Sequence, residues 1–201
     1  MLKAIESATR VLRLGPTIAL TPAQFYDMCR ANPDLQLEMN AEGEIIIMPP
    51  AGGHSSARNA KLTARLVVWA EKDGSGQVFD SSGGFELPNG AVRAPDAAWV
   101  LKSRLARFTF QERERFLPLC PDFVAELRSP TDALETLQDK MAEYIANGAR
   151  LGWLLDPFDR RVYVYRPDAQ VEVVADAERI SGDPVLLGFS LELERIWETD
   201  R

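Results

Sequence analysis

The segment Phe123-Val-Ala-Glu-Leu-Arg128 sets a carboxylate in the middle of an apolar run, and no other feature restricts the fold of this chain so tightly. Period-two alternation puts Val124, Glu126 and Arg128 on one face of a strand and Phe123, Ala125 and Leu127 on the other. A lone buried carboxylate is costly, so Glu126 requires a cation or a metal beside it. Two more acids keep similar company. Glu38 sits in Leu35-Gln-Leu-Glu-Met, and Asp96 stands between Pro95 and the apolar run Ala-Ala-Trp-Val. Carboxylates converging from neighbouring strands would form an oxygen-rich site suited to Mg2+ or Mn2+. The competing reading is edge-strand solubility, or an ion pair between Glu126 and Arg128. Pro-Asp alone is weak evidence, since the dipeptide begins at positions 33, 95, 121 and 167. Pro95-Asp96 differs in context: a turn precedes it, an apolar strand follows, and the strand bearing Glu126 comes thirty residues later.

The elements around these acids can be read in order. Residues 1–20 are a leader of uncertain structure. Thr21-Pro22 reads as an N-cap followed by proline at the first helical position, opening a helix to about Arg30. Leu35–Met39 and Glu44–Met48 form a hairpin about Asn40-Ala-Glu-Gly43. Residues 54–73, free of internal Gly and Pro, give the longest helix. Gln77–Asp80, Gly84–Leu87 and Val92–Val100 read as strands, 102–117 as a charged helix, and Asp122–Arg128 as a strand. A helix follows over Ala133–Asn147, stopped by Asn147-Gly148, and then a hairpin of Leu151–Asp156 with Arg161–Arg166. The tail adds short strands and a helical turn near Leu193–Trp197. No repeat or linker interrupts this order. The pattern is that of one α/β (α+β) domain over residues 21–197 with a mixed central sheet, leaving 198–201 as a tail.

Composition narrows the chemistry. Thirty acids against 23 bases give a net charge of −7, so bulk attraction will not bring nucleic acid to this protein. A nucleic-acid role needs a local basic patch, a metal to mask carboxylates, or both. The single histidine, His54, rules out poly-histidine metal sites. Cys29 and Cys120 make neither a disulfide scaffold nor a zinc site. No stretch has the length of apolar residues that spanning a membrane requires, and the N-terminus lacks the apolar region of a secretory signal, so a cytoplasmic, reduced protein is expected. Gly-x-Gly-x-x-Gly, a phosphate-binding loop and Gly-x-Ser-x-Gly are all missing.

Two sets of cations stand out. Leu134, Leu137, Met141, Tyr144 and Ile145 share one helical face, with Asp139 and Glu143 pointing away and Lys140 at the border, roughly 90° from the centre of that face. A border lysine either snorkels over the core or reaches into an adjacent site. On the long helix Arg58, Lys61 and Arg65 form a stripe with His54, with Lys72 seven residues on. The stripe is a solvated face or an anion-binding one.

Taken in order, these segments resemble the Uma-type family of putative restriction endonucleases of bacteria, within the PD-(D/E)XK nuclease superfamily. The resemblance rests on Leu35 to Pro50, Ala-Pro-Asp96, Cys120-Pro-Asp-Phe-Val-Ala-Glu126-Leu-Arg-Ser-Pro130, Asp139-Lys140-Met-Ala-Glu-Tyr-Ile-Ala-Asn-Gly-Ala149 and Gly152-Trp-Leu-Leu-Asp-Pro157. It implies a restriction-endonuclease-like core and metal-dependent hydrolysis of phosphodiester bonds in DNA, with Mg2+ or Mn2+ as cofactor. It makes Asp96 the acid of the PD element, Glu126 the acid of the (D/E)XK element, and Glu38 an additional acid, all three as metal ligands. Arg128 stands where the motif has lysine, and an arginine does not deprotonate. Lys140 on the next helix is the substitute, giving Glu38, Asp96, Glu126 and Lys140 as catalytic residues. Arg58, Lys61, Arg65 and Arg128 are the candidate DNA contacts, and a homodimer would cut both strands symmetrically. The alternatives are a catalytically silent nuclease fold serving as a binding or assembly module, and a glycosidase using Glu38 and Glu126.

Overall fold

The computed structural model describes residues 9–15 and 18–198. The chain runs through β1 (Arg10–Leu12), α1 (Pro22–Ala31), β2 (Gln36–Met39), β3 (Ile45–Met48), α2 (Gly53–Asp73), β4 (Gly76–Asp80), β5 (Phe85–Glu86), β6 (Val92–Arg93) and β7 (Ala97–Leu101). It continues through α3 (Lys102–Leu105), α4 (Phe110–Arg113), β8 (Phe123–Leu127), α5 (Leu134–Ala146), β9 (Leu151–Asp156), β10 (Arg161–Tyr165), β11 (Glu172–Ala175), β12 (Arg179–Ser181), β13 (Ser190–Glu192) and α6 (Glu194–Trp197).

The central sheet has the order β11-β10-β9-β8-β7-β4. It is mixed, because β8 and β9 run parallel while the other pairs are antiparallel. The parallel pair needs a crossover, and α5 supplies it. One sheet face carries Trp99, Phe123, Ala125 and Trp153 against Leu62 and Leu66 of α2 and the C-terminal residues Phe189, Ile196 and Trp197. The other carries Ala98, Val124 and Leu154 against Met141 and Tyr144 of α5. The alternation expected for β8 is therefore observed on both faces. Gly152 has no side chain where α5 crosses β9. A Cβ there would lie 2.5 Å from the end of Met141, so the glycine lets the helix sit close to the sheet.

A second, antiparallel sheet has the order β1-β3-β2-β6-β5 and buries Met39, Ile45 and Val92 under Phe25 of α1. Thr21 caps α1 with a reciprocal bond to Gln24, and Pro22 opens it, as the sequence indicates. Within the leader, Arg10–Leu12 pair with β3. Residues 1–8, 16–17 and 199–201 lie outside the described residues.

Two expectations are corrected. Val92–Val100 is not one strand but two, in different sheets, with Ala94-Pro95-Asp96 as the crossing. Proline has no N–H to extend the ladder, so pairing stops there. The stretch 102–117 is not one helix but the single turns α3 and α4, because Thr109 caps a new turn with Glu112 instead of continuing the old one.

Candidate active site

The crossing at Pro95 decides the geometry. Along β2 and β6, Met39 and Val92 pair and face the core of the second sheet. Alternation turns Glu38 and Arg93 to the other side, where Arg93 Nη1 donates to Glu38 Oε2 at 3.2 Å. The Ala94 N–H adds a bond to Glu38 Oε1 at 2.9 Å. The chain then enters the central sheet. There Ala97 pairs with Ala125, so the next residues outward, Asp96 and Glu126, are neighbours across β7 and β8. Asp96 Oδ2 accepts from the Leu127 N–H at 2.7 Å, and Oδ1 accepts from the Asn59 amide on α2 at 2.6 Å.

Lys140 closes the cluster. Its ammonium lies 2.8 Å from Glu38 Oε1 and 2.8 Å from Glu126 Oε1, joining an acid of each sheet. The border lysine thus reaches into the site. Tyr144, one turn later on α5, donates its hydroxyl to Glu126 Oε1 at 3.1 Å. Glu38 and Glu126 are buried, while Asp96 is partly exposed.

Charge is unevenly balanced here. Burial alone would raise Glu38, but Lys140, Arg93 and the Ala94 N–H hold its carboxyl below the ordinary range. Burial, reinforced by Asp96 and Glu38, pushes Glu126 up to about 8 against the pull of Lys140. Asp96 is raised by burial, opposed by the Leu127 and Asn59 hydrogen bonds. Burial would strip Lys140 of its proton, but Glu126 and Glu38 keep it and push its pKa above the ordinary value. Tyr144 is raised by burial and by the two glutamates, so its phenol stays protonated as a donor.

The other candidates are placed differently. Arg128 does not pair with Glu126. Its Nη1 lies 2.7 Å from the buried Asp156, and its guanidinium stands 5.5 Å from the centre of the Phe158 ring. Of the stripe on α2, Arg58 donates to the Ile196 carbonyl at 2.8 Å, and Lys61 donates to the carbonyls of Arg195 and Glu198 at 3.1 and 3.4 Å. These are carbonyls of the last helix, which cations suit. Arg65 and His54 are exposed. Glu143, expected to point away, turns to the edge of the site and accepts from Arg93 at 2.6 Å and Asn89 at 2.9 Å.

Sequence reasoning missed Arg93, Tyr144 and Asn59. Arg93 had a trace, its alternation with apolar Val92 just before Pro95-Asp96. Tyr144 had one too, its spacing of four from Lys140, but counted as core. Asn59 had none.

The Uma2 family, described as "Putative restriction endonuclease", matches residues 22–194. The chain belongs to the Uma2 family. A crystal structure of a putative nuclease belonging to DUF820 from Anabaena variabilis ATCC 29413 shares its fold, with a TM-score of 0.76, covering 89% of this chain and 97% of that one at 21% identity. No curated protein matches the chain. No helix among the described residues is long and apolar enough to cross a membrane.

Restriction-endonuclease-like families generally use divalent metals, so the Uma2 site can be tested for fit. Its oxygen donors are the carboxylates of Glu38, Asp96 and Glu126; Asn59 meets Asp96 through its amide nitrogen, and its Oδ1 is enclosed with no donor among the described residues. Hard oxygen donors fit Mg2+ or Mn2+ in kind. Among the described residues no three His, Cys, Asp or Glu side chains are drawn together tightly enough to hold an ion. Between Glu38 and Glu126 the cation is the Lys140 ammonium.

Proposed function

We propose that this Uma2 protein is a divalent-cation-dependent endonuclease that hydrolyses phosphodiester bonds in DNA in the cytoplasm. The observation that carries the reading is the Lys140 ammonium set 2.8 Å from both Glu38 and Glu126, with Asp96 beside Glu126 across the sheet. Asp96 and Glu126 would hold Mg2+ or Mn2+, with Glu38 assisting. A divalent cation held there would supply Lewis acidity toward a phosphate oxygen and a water.

The remaining work falls to side chains. Lys140 keeps its proton and offers positive charge to the phosphate as negative charge develops there. Arg93, tied to Glu143, holds Glu38 ionised and oriented when Lys140 turns to substrate. Tyr144 orients Glu126. Arg65, exposed on α2, and Arg128, at the end of β8, are the candidate phosphate contacts that offset the acidic surface. A homodimer would bring two such sites to the two strands.

A second reading has its own observation. A site whose cation is already a lysine is also what a silent nuclease fold retained as a binding module would hold. Cleavage of supercoiled plasmid with Mn2+ separates the two. The endonuclease reading expects metal-dependent nicking that Lys140→Met lowers about 100- to 1,000-fold, the cost of losing one preorganised charge donor. Absence of nicking by the folded wild type with either metal would leave the binding module.

A further inference from the structure

Three buried or partly buried acids meet in the site, and they are compensated in different ways. Glu38 has two cationic partners, Arg93 and Lys140, and Glu126 has Lys140. Asp96 has no ion-pair partner among the described residues. Its donors are neutral: the Leu127 N–H on one oxygen and the Asn59 amide on the other. Each oxygen is thus fixed by a different element, β8 and α2, so the carboxylate cannot rotate without losing a bond. A lysine or arginine at position 59 would hold Asp96 equally well, but it would also neutralise it. An amide holds the carboxylate and leaves its charge in place.

The same contact fixes the amide. Its nitrogen must face the carboxylate, so Oδ1 is turned to the other side, enclosed and without a donor among the described residues. An acceptor left so costs about 1–3 kcal/mol. The turn that carries Asn59 is itself held. Arg58 and Lys61 flank it and bind the carbonyls of Ile196, Arg195 and Glu198, joining α2 to the C-terminal helix. Two cations of the stripe therefore help to hold the helix that reaches Asp96.

We infer that Asn59 is a positioning residue of this site, fixing the Asp96 carboxylate for a divalent cation without forming an ion pair with it. This rests on the metal-dependent reading above. Supporting groups of this kind are worth about 10- to 100-fold in metal affinity.

The test is Mn2+ binding to the full chain, titrated by the loss of the free-ion electron paramagnetic resonance signal, in wild type, Asn59→Leu and Asn59→Ala. Thermal unfolding without metal runs in parallel. Asn59→Leu keeps the volume and removes the donor, and Asn59→Ala decides if the leucine variant does not fold. We expect Mn2+ affinity to fall about 10- to 100-fold in a folded variant. The turnover of plasmid should fall while its KM stays unchanged. Unchanged Mn2+ affinity in a folded variant, beside clear binding by wild type, overturns the Asn59 assignment alone. Absence of Mn2+ binding by wild type overturns the metal-dependent reading and this inference with it. Failure of both variants to fold assigns Asn59 a structural role instead.

Discussion

Pro95-Asp96 and Pro121-Asp122 are the same dipeptide, each just before a strand of the central sheet, and only one belongs to the candidate site. Because β7 and β8 run antiparallel, the two aspartates fall at opposite ends of the pair. Each accepts a backbone N–H from the end of the other strand: Asp96 from Leu127 at 2.7 Å, Asp122 from Leu101 at 3.0 Å. The local construction is shared, and the charges around it differ. Asp122 meets the guanidinium groups of Arg104 at 3.1 Å and Arg150 at 4.0 Å. Asp96 meets an asparagine and has two glutamates nearby that share one lysine. Cations outnumber the acid at one end, and acids outnumber the cations at the other. A buried carboxylate is therefore not by itself evidence of a site. An excess of carboxylates over cations is a better sign, because a proton or a bound cation must complete it.

The sharpest way to break this comparison is to remove each charge in turn. Asp96→Asn should lower metal-dependent plasmid cleavage about 1,000-fold, the several kcal/mol expected for a lost metal ligand, and leave the melting temperature unchanged or higher. The sign follows from burial, which disfavours the charged form of Asp96 in the folded state. Asp122→Asn should do the reverse. It costs about 1–3 kcal/mol in denaturant unfolding by weakening a buried acceptor, with cleavage by the folded protein unchanged. Equal effects at both ends would erase the distinction.

A smaller effect is expected from pH. Glu126 is pushed up to about 8, from an ordinary 4.5, so the folded chain holds a proton there that the unfolded chain releases. Stability without metal should be fully present below pH 4.5 as far as this group contributes, and decline as pH rises towards about 8. The slope is limited to about 1.4 kcal/mol per pH unit. A metal competes with that proton, so Mn2+ affinity should rise up to about tenfold per unit and level off above the pKa. Glu126→Gln should flatten the stability trend in this window, as urea unfolding at a series of pH values would show.

The smallest expected change is that of Tyr144→Phe, which removes the hydroxyl bonded to Glu126 at 3.1 Å. It should cost about 1 kcal/mol of stability and, through a less well oriented Glu126, about fivefold in cleavage. Loss of all activity would mean that the phenol does more than hold the carboxylate.

Much of this was legible in the sequence, for reasons that can be named. Alternation in β8 is strict enough to show two buried faces, and the apolar spacing along α5 puts Lys140 at the border where it is found. The N-cap at Thr21, the proline after it and the stop at Asn147-Gly148 are local chemistry and need no tertiary information. Of the second sheet only the β2–β3 hairpin was legible, because the other pairs that define it are short and Val92–Val100 reads as continuous until pairing partners are known. The fates of the cations were not legible. Arg128 shares a strand face with Glu126 by periodicity, yet it pairs with Asp156, 28 residues away in sequence and adjacent only through the parallel pairing of β8 with β9. Arg58 and Lys61 look like a solvated or anion-binding stripe until α6 is placed against α2. Glu143 points away from the apolar face of α5, and only the second sheet supplies the Arg93 that it meets.

The most direct test is a crystal soaked in Mn2+ and measured for anomalous scattering. One ion should lie about 2.1 Å from carboxylate oxygens of Asp96 and Glu126, with the Lys140 ammonium displaced from Glu126, and no ion should lie at Asp122. An ion at Asp122, or a fully occupied Mn2+ elsewhere with Lys140 still bridging Glu38 and Glu126, would contradict the assignment.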